Sequence, residues 1–373
     1  MADEKISTAF IRSKLIDAPK KIDPPTKGVL LHQGLGASKI LNMGLNECCY
    51  PPSPTVIRAM RENLHTVNLY PDAQCPRLTD IVSERTGIAR DCIVWGNGSE
   101  ELLKGAIDLS VSPGQGLVLP VPTFWGYKSM VAAFEANLTE VNNLQDGRTD
   151  IAGLLSAISD DTKIVFLITP NNPTGMMVDQ AGVEKVIKGV PNDVLLCVDE
   201  AYSDFGQYAG GPNVLEVLKT RTGPWMSIFT FSKAYAMAGM RIGYAVCSNE
   251  ELADALKKTT CVFNVPLLAQ YAGEAALLDT QYREFILSQT AAGREQLYHG
   301  LRDLGLSPFK SVANFVSTPM PMNGQDCLRG MLKRGVQINA WADQGYENYI
   351  RITVGSKEEN QACLSALKET LQA

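Results

Sequence analysis

Ser227–Tyr244 reads SIFTFSKAYAMAGMRIGY, and a little upstream Leu195–Tyr202 reads LLCVDEAY. In the first stretch Lys233 follows a short apolar run and the hydroxyls of Thr230 and Ser232, and precedes Arg241. Alone, such a lysine reads equally well as an ordinary solvated side chain. In the second, Asp199 ends a strongly apolar strand, where a carboxylate is costly to bury unless a cation faces it. A strand-end cap is the plain alternative. A third stretch, TPNNPTG at Thr169–Gly175, sets Asn171 and Asn172 after another apolar run and so delivers an amide to the same sheet edge. An ordinary turn would fit NPTG as well.

Outward from these stretches the chain alternates short apolar runs with helix-like segments, the order expected of an α/β fold with a mostly parallel sheet. The candidate strands are Cys92–Trp95, Gly116–Leu119, Lys163–Ile168, Leu195–Val198, Ser227–Phe229 and Gly243–Val246. Glu100–Leu109 puts Leu102, Leu103, Ala106 and Ile107 on one helical face, so a helix starts just after Gly96-Asn97-Gly98-Ser99. Strand, glycine turn and helix in that order suit a phosphate. From about Ser248 the pattern turns to longer helices, Glu250–Thr259 and Leu267–Leu278, then short strands near Phe315 and Ile350. The expected division is an N-terminal arm over 1–44, belonging with the smaller domain, a large domain over 45–247 and a smaller α+β domain over 248–373.

Bulk properties narrow the function. The 373 residues are 45% hydrophobic and 20% charged, enough for about two globular domains. A net charge of −6 offers no basic stripe for a nucleic acid. Nine cysteines without a C-x-x-C pair argue against a disulfide framework or a zinc site, and His32, His65 and His299 have no metal-ligand spacing, so no metal is expected. The N-terminus lacks the apolar core of a signal peptide, and no apolar run is long enough to span a membrane. A reducing cytoplasm is the expected setting.

Amide, carboxylate and lysine, each at a strand end and in that chain order, meet together the needs of one heterocyclic aldehyde cofactor. Here the chain resembles the fold-type I enzymes that use pyridoxal 5′-phosphate, and within them the histidinol-phosphate aminotransferase branch. The resemblance runs from about Leu45 to the C-terminus. It implies that Lys233 carries the cofactor and moves the substrate's α-proton. Asp199 is then the partner of the protonated pyridine nitrogen, and Asn172 and Tyr202 hydrogen-bond the ring's 3′-oxygen. The phosphate is expected at the helix start Gly98-Ser99-Glu100, closed by Thr230, Ser232 and Arg241. Phe124, in VPTFWGY, matches the aromatic residue stacked on the ring. Tyr70, in LYPDAQ, matches a tyrosine that reaches the neighbouring subunit's cofactor phosphate, which implies a homodimer with shared sites.

The substrate side departs from the family. In ENYIRITVGSKEEN, Arg351 takes the position of the arginine that binds the substrate's acid group, a role suited to its planar fork. Histidinol-phosphate aminotransferases usually carry a second arginine in a Gly-Val/Ile-x-x-Arg segment. Here that segment is Gly335-Val336-Gln337-Ile338-Asn339, so an amide replaces the cation. One cation is a poor phosphate clamp, and a free L-α-amino acid is the expected substrate. LNMGLNECCYPPSP keeps Asn46 and Glu47 near the substrate but has Cys48-Cys49 where Asn-Pro is usual. Transamination is the leading reading. A lyase or cyclase on the same residues, acting on a modified and even a guanidino amino acid, is the alternative, and a cofactor-binding regulatory module is a distant third.

Overall fold

The computed structural model describes residues 40–373, so most of the arm expected over 1–44, His32 included, lies outside the described residues. Seven strands form the main sheet: β2 (Ile93–Gly96), β3 (Gly116–Val121), β4 (Asn137–Asn142), β5 (Thr162–Ile168), β6 (Leu195–Asp199), β7 (Trp225–Thr230) and β8 (Gly243–Cys247). Their spatial order is β2-β8-β7-β6-β5-β3-β4. Neighbours from β7 to β4 run parallel, and β8 is antiparallel to both β7 and β2.

The six candidate strands from Cys92–Trp95 to Gly243–Val246 are all in this sheet, each extended by one to three residues or shifted by one. The missing one was β4. It is an edge strand of sequence NLTEVN with no buried residue, so it shows neither an apolar run nor clean alternation.

Alternation along the buried strands splits the core in two. Leu117, Leu119, Ile164, Phe166, Cys197 and Ile228 pack on one face with helix Ser99–Ser110, while Val118, Val165, Leu167, Leu196 and Val198 pack on the other. The period of two decides which acid of VDEAY faces which way. Asp199 follows Leu195 and Cys197 onto the face of helix Ser99–Ser110, and Glu200 goes to the opposite face, where Ser227 Oγ donates to its carboxylate at 2.5 Å.

The remaining chain builds two small sheets. β9 (Phe315–Pro319), β11 (Asn339–Ala340) and β12 (Tyr349–Thr353) form an antiparallel sheet of order β11-β12-β9, and β1 (Leu41–Asn42) pairs parallel with β10 (Val336–Gln337). Helices Thr280–Asp303, Gly324–Lys333 and Lys357–Leu371 cover them with a third core around Leu297, Met331, Ile350, Ile352 and Leu367. The last helix starts at a capping box: Ser356 Oγ accepts from the Glu359 N–H and the Glu359 carboxylate accepts from the Ser356 N–H. No helix among the described residues is long and apolar enough to cross a membrane.

Candidate active site

The helix over Ser99–Ser110 opens at Gly98, whose φ is +79°. That backbone conformation favours glycine, and the Arg241 guanidinium packs against it, so that a Cβ there would come within 2.5 Å of Nη2. Gly243, at the start of β8, is held to glycine by a similar approach, since its Cβ would lie 2.8 Å from the Ser99 nitrogen. The helix N-terminus, the Arg241 guanidinium and the end of β7 therefore converge. Thr230 Oγ1 donates to Ser232 Oγ at 3.0 Å and accepts from the Ser232 N–H at 3.1 Å, and Arg241 Nη1 lies 3.5 Å from Ser232 Oγ. Free helical N–H groups, hydroxyls and a guanidinium together form a receptor for a phosphate dianion.

Asp199 is 6% exposed and stands at the end of β6. The Tyr127 hydroxyl and the Ala201 N–H each donate to it at 3.0 Å. Burial pushes its carboxyl upward, and these two donors pull the other way. A carboxylate held this way is suited to a heterocyclic N–H cation. Phe124, half-buried, lies 6.4 Å from the Tyr127 ring, and glycine at 126 leaves room for it, because a Cβ there would come 2.4 Å from Phe124 Cε1.

Lys233 follows β7 and donates to the carbonyls of Asn46 at 3.0 Å and Leu45 at 3.4 Å. The side chain keeps some exposed surface, but the ammonium end is deep: burial first, then the Arg351 and Arg241 charges, bring it down to about 8 against the opposing pull of Glu47. Asn46 Nδ2 donates to the Tyr202 hydroxyl at 2.9 Å. Burial raises that phenol to about 12, so it stays protonated.

Arg351, on β12, is 8% exposed. Its Nη1 donates to Asn172 Oδ1 at 2.5 Å and its Nη2 to the Gly44 carbonyl at 2.7 Å, while its Nε has no partner. Burial lowers it to about 10, which leaves it charged at neutral pH. Asn339 sits directly across from it in the β11–β12 register. Glu47 is exposed and accepts from Asn42 Nδ2 at 3.4 Å.

Lys233, Asp199, Tyr202, Asn172, Asn46 and Arg351 are thus linked through the ends of β5 to β7 and the small sheet, with Gly98, Ser99, Glu100, Thr230, Ser232 and Arg241 beside them. Tyr70 is the exception. It is 82% exposed and stacks only on Phe263, at 4.9 Å between ring centroids. Burial raises both Cys48 and Cys49, the latter to about 12, so neither is poised as a thiolate. His65 and His299 are exposed, and no three metal-binding side chains cluster among the described residues.

Residues 38–367 match the family aminotransferase class I and II. The chain belongs to that family. A histidinol-phosphate aminotransferase of Moorella thermoacetica is 33% identical over 337 residues, covering 90% of this chain and 87% of its own. Another, of Carboxydothermus hydrogenoformans, is 34% identical, covering 91% of this chain and 93% of its own. The structure of histidinol-phosphate aminotransferase from Sinorhizobium meliloti in complex with pyridoxal 5′-phosphate superposes with a TM-score of 0.87 at 27% identity, over 98% of this chain and 99% of that one.

This aminotransferase uses pyridoxal 5′-phosphate and has the fold-type I architecture read from its sequence. Transamination stands in place of the lyase, cyclase and regulatory readings. Three further residues that the sequence reading did not single out bond directly to this cluster. Tyr127 lies three residues after Phe124 in VPTFWGY, in the first turn of the helix that follows, and that spacing was a usable signal. Asn314, whose Nδ2 donates to the Asn46 carbonyl at 3.0 Å, and Thr353, whose Oγ1 accepts from the Asn46 N–H at 2.9 Å, gave none, because long-range folding alone brings them to Asn46.

Proposed function

We propose that this aminotransferase takes its amino group from a free L-α-amino acid and returns a 2-oxo acid, with Lys233 as the cofactor-bearing lysine and base. Bound pyridoxal 5′-phosphate supplies an aldehyde that takes the substrate's amine and a ring that accepts electrons as the α C–H bond breaks. With the cofactor bound, Lys233 Nζ, lowered to about 8 by burial and the nearby arginines, would be the group that accepts and returns the substrate's α-proton. Asp199 would pair with the ring nitrogen, Asn172 and Tyr202 would hydrogen-bond the 3′-oxygen, and Phe124 would pack on the ring. The helix start at Gly98, Ser99 and Glu100, with Thr230, Ser232 and Arg241, would hold the phosphate.

The observation that carries the substrate assignment is the Arg351 fork beside Asn339. The unpartnered Nε of Arg351 and the amide directly opposite suit one planar carboxylate, whereas a phosphate carries up to about two charges and calls for a second cation. Asn46 and Glu47 line the same side. The proteins named above are histidinol-phosphate aminotransferases, and this chain has one arginine where that branch usually has two. The test is a comparison of amino donors: each free L-amino acid and histidinol phosphate is mixed with the loaded enzyme, and product is identified by mass. Free amino acids should react and histidinol phosphate should be poor. Efficient use of histidinol phosphate with free amino acids inert overturns the reading.

We further propose a cytoplasmic homodimer, divided into the arm over 1–44, the large domain over 45–247 and the small domain over 248–373. Support for the dimer comes from exposed apolar side chains around Tyr70, namely Leu64, Val67, Leu69, Val262 and Phe263. Mixing Tyr70→Phe with Lys233→Ala chains should change cofactor retention non-additively. A monomer by light scattering at assay concentration refutes it.

A further inference from the structure

The polar partners of Lys233 Nζ are two backbone carbonyls, and one of them is shared. The Asn46 oxygen accepts from Lys233 Nζ and from Asn314 Nδ2, each at 3.0 Å. Asn46 is pinned on every other side. Its N–H donates to Thr353 Oγ1, its Oδ1 accepts from the same hydroxyl at 3.2 Å, its Nδ2 donates to Tyr202, and its φ of 55° lies in the left-handed region.

Asn314 is 3% exposed, and its Oδ1 has no partner. Only an N–H can face a carbonyl oxygen, so Asn46 dictates the amide's orientation and strands that Oδ1. An orphaned buried acceptor is destabilising. An apolar side chain would leave no buried acceptor unpaired, so packing alone does not account for an amide here.

A carbonyl oxygen has two lone pairs. Asn314 occupies one and turns the positive end of its amide dipole toward the ammonium beside it. We propose that Asn314 is a positioning residue for Lys233: it fixes the Asn46 carbonyl where the free amine rests and limits how strongly that carbonyl holds the charged form. The ionisable groups that face Lys233 are Arg351 and Arg241, which favour the neutral amine, and Glu47, which favours the ammonium. The Tyr202 ring lies 5.9 Å from Nζ. Asn314 works in the same direction as the two arginines, without a charge.

The inference rests on Lys233 being the cofactor-bearing base, and two measurements keep the two claims apart. Borohydride reduction of the protein loaded with pyridoxal 5′-phosphate should leave the adduct on Lys233, and an adduct on another lysine defeats that base reading. The protein loaded with pyridoxamine 5′-phosphate, in which the lysine amine is free, is then pulsed with acetic anhydride between about pH 6 and 10, and acetylation of Lys233 is read by mass spectrometry. In Asn314→Leu and Asn314→Ala the midpoint should rise by about half a unit, roughly threefold less neutral amine at pH 7. Leucine, with the same number of side-chain heavy atoms as asparagine, carries the measurement if the alanine protein does not fold. A midpoint unmoved from the parent, with the adduct on Lys233, overturns the role of Asn314 alone.

Discussion

Lys233 and Asp199 stand just beyond or at the carboxyl ends of two neighbouring parallel strands, β7 and β6, whereas Arg351 stands in the middle of an antiparallel strand. The amide, carboxylate and lysine of the lysine end come from the ends of β5, β6 and β7, which are successive in the chain and adjacent in the sheet, so for these three groups chain order and spatial order agree. At the arginine end, Asn339 meets Arg351 through β-register, and the guanidinium bonds Asn172 and Gly44, which lie far away in sequence. A parallel sheet gathers its strand ends on one edge whatever the loops contain. An antiparallel hairpin brings two residues together only if its register is right.

The contrast predicts unequal sensitivities. The largest effect is expected at Asp199→Ala, which leaves the fold intact but removes the ring's charge partner. Turnover should fall on the order of a thousandfold, about 4 kcal/mol. Steady-state kinetics with a near-normal kcat would remove Asp199 from its role. At the other end, Arg351→Lys keeps a charge and loses the fork, and kcat/KM should fall by about 2–3 kcal/mol. A lysine variant with parental kcat/KM would show that the bidentate contact is not made.

Glu200 sharpens the comparison from within the lysine end. Burial raises it to about 7, so the folded state holds its proton more tightly than the unfolded chain does. The stability this group confers is complete at pH values below about 4.5, its ordinary value, and is lost as pH rises through about 7. Glu200→Gln should flatten that slope and gain about 2 kcal/mol at pH 8, read by urea unfolding across pH, with turnover little changed. An unchanged slope would show that the carboxyl does not titrate there. The smallest effect is expected at Asn339→Arg. Adding the missing cation should improve kcat/KM for histidinol phosphate about tenfold, or about 1.4 kcal/mol. No gain would mean that residue 339 does not reach the substrate's distal group.

By itself the sequence determined the α/β class and the parallel strands β3, β5, β6 and β7, because buried strands read as apolar runs, and it singled out Asp199 and Thr230, polar residues that end β6 and β7 where burial alone would not favour them. The edge strand β4 was illegible for the converse reason: with solvent on its exposed side, it has no apolar requirement. Tertiary structure alone decided what surrounds Lys233 Nζ. Asn46 and Asn314 are separated from it by 187 and 81 positions, the differences 233 − 46 and 314 − 233. No local propensity encodes a backbone carbonyl shared between two such side chains. That contact exists only once three separate segments have folded together, and the protonation of a buried amine depends on those neighbours rather than on its place in the chain.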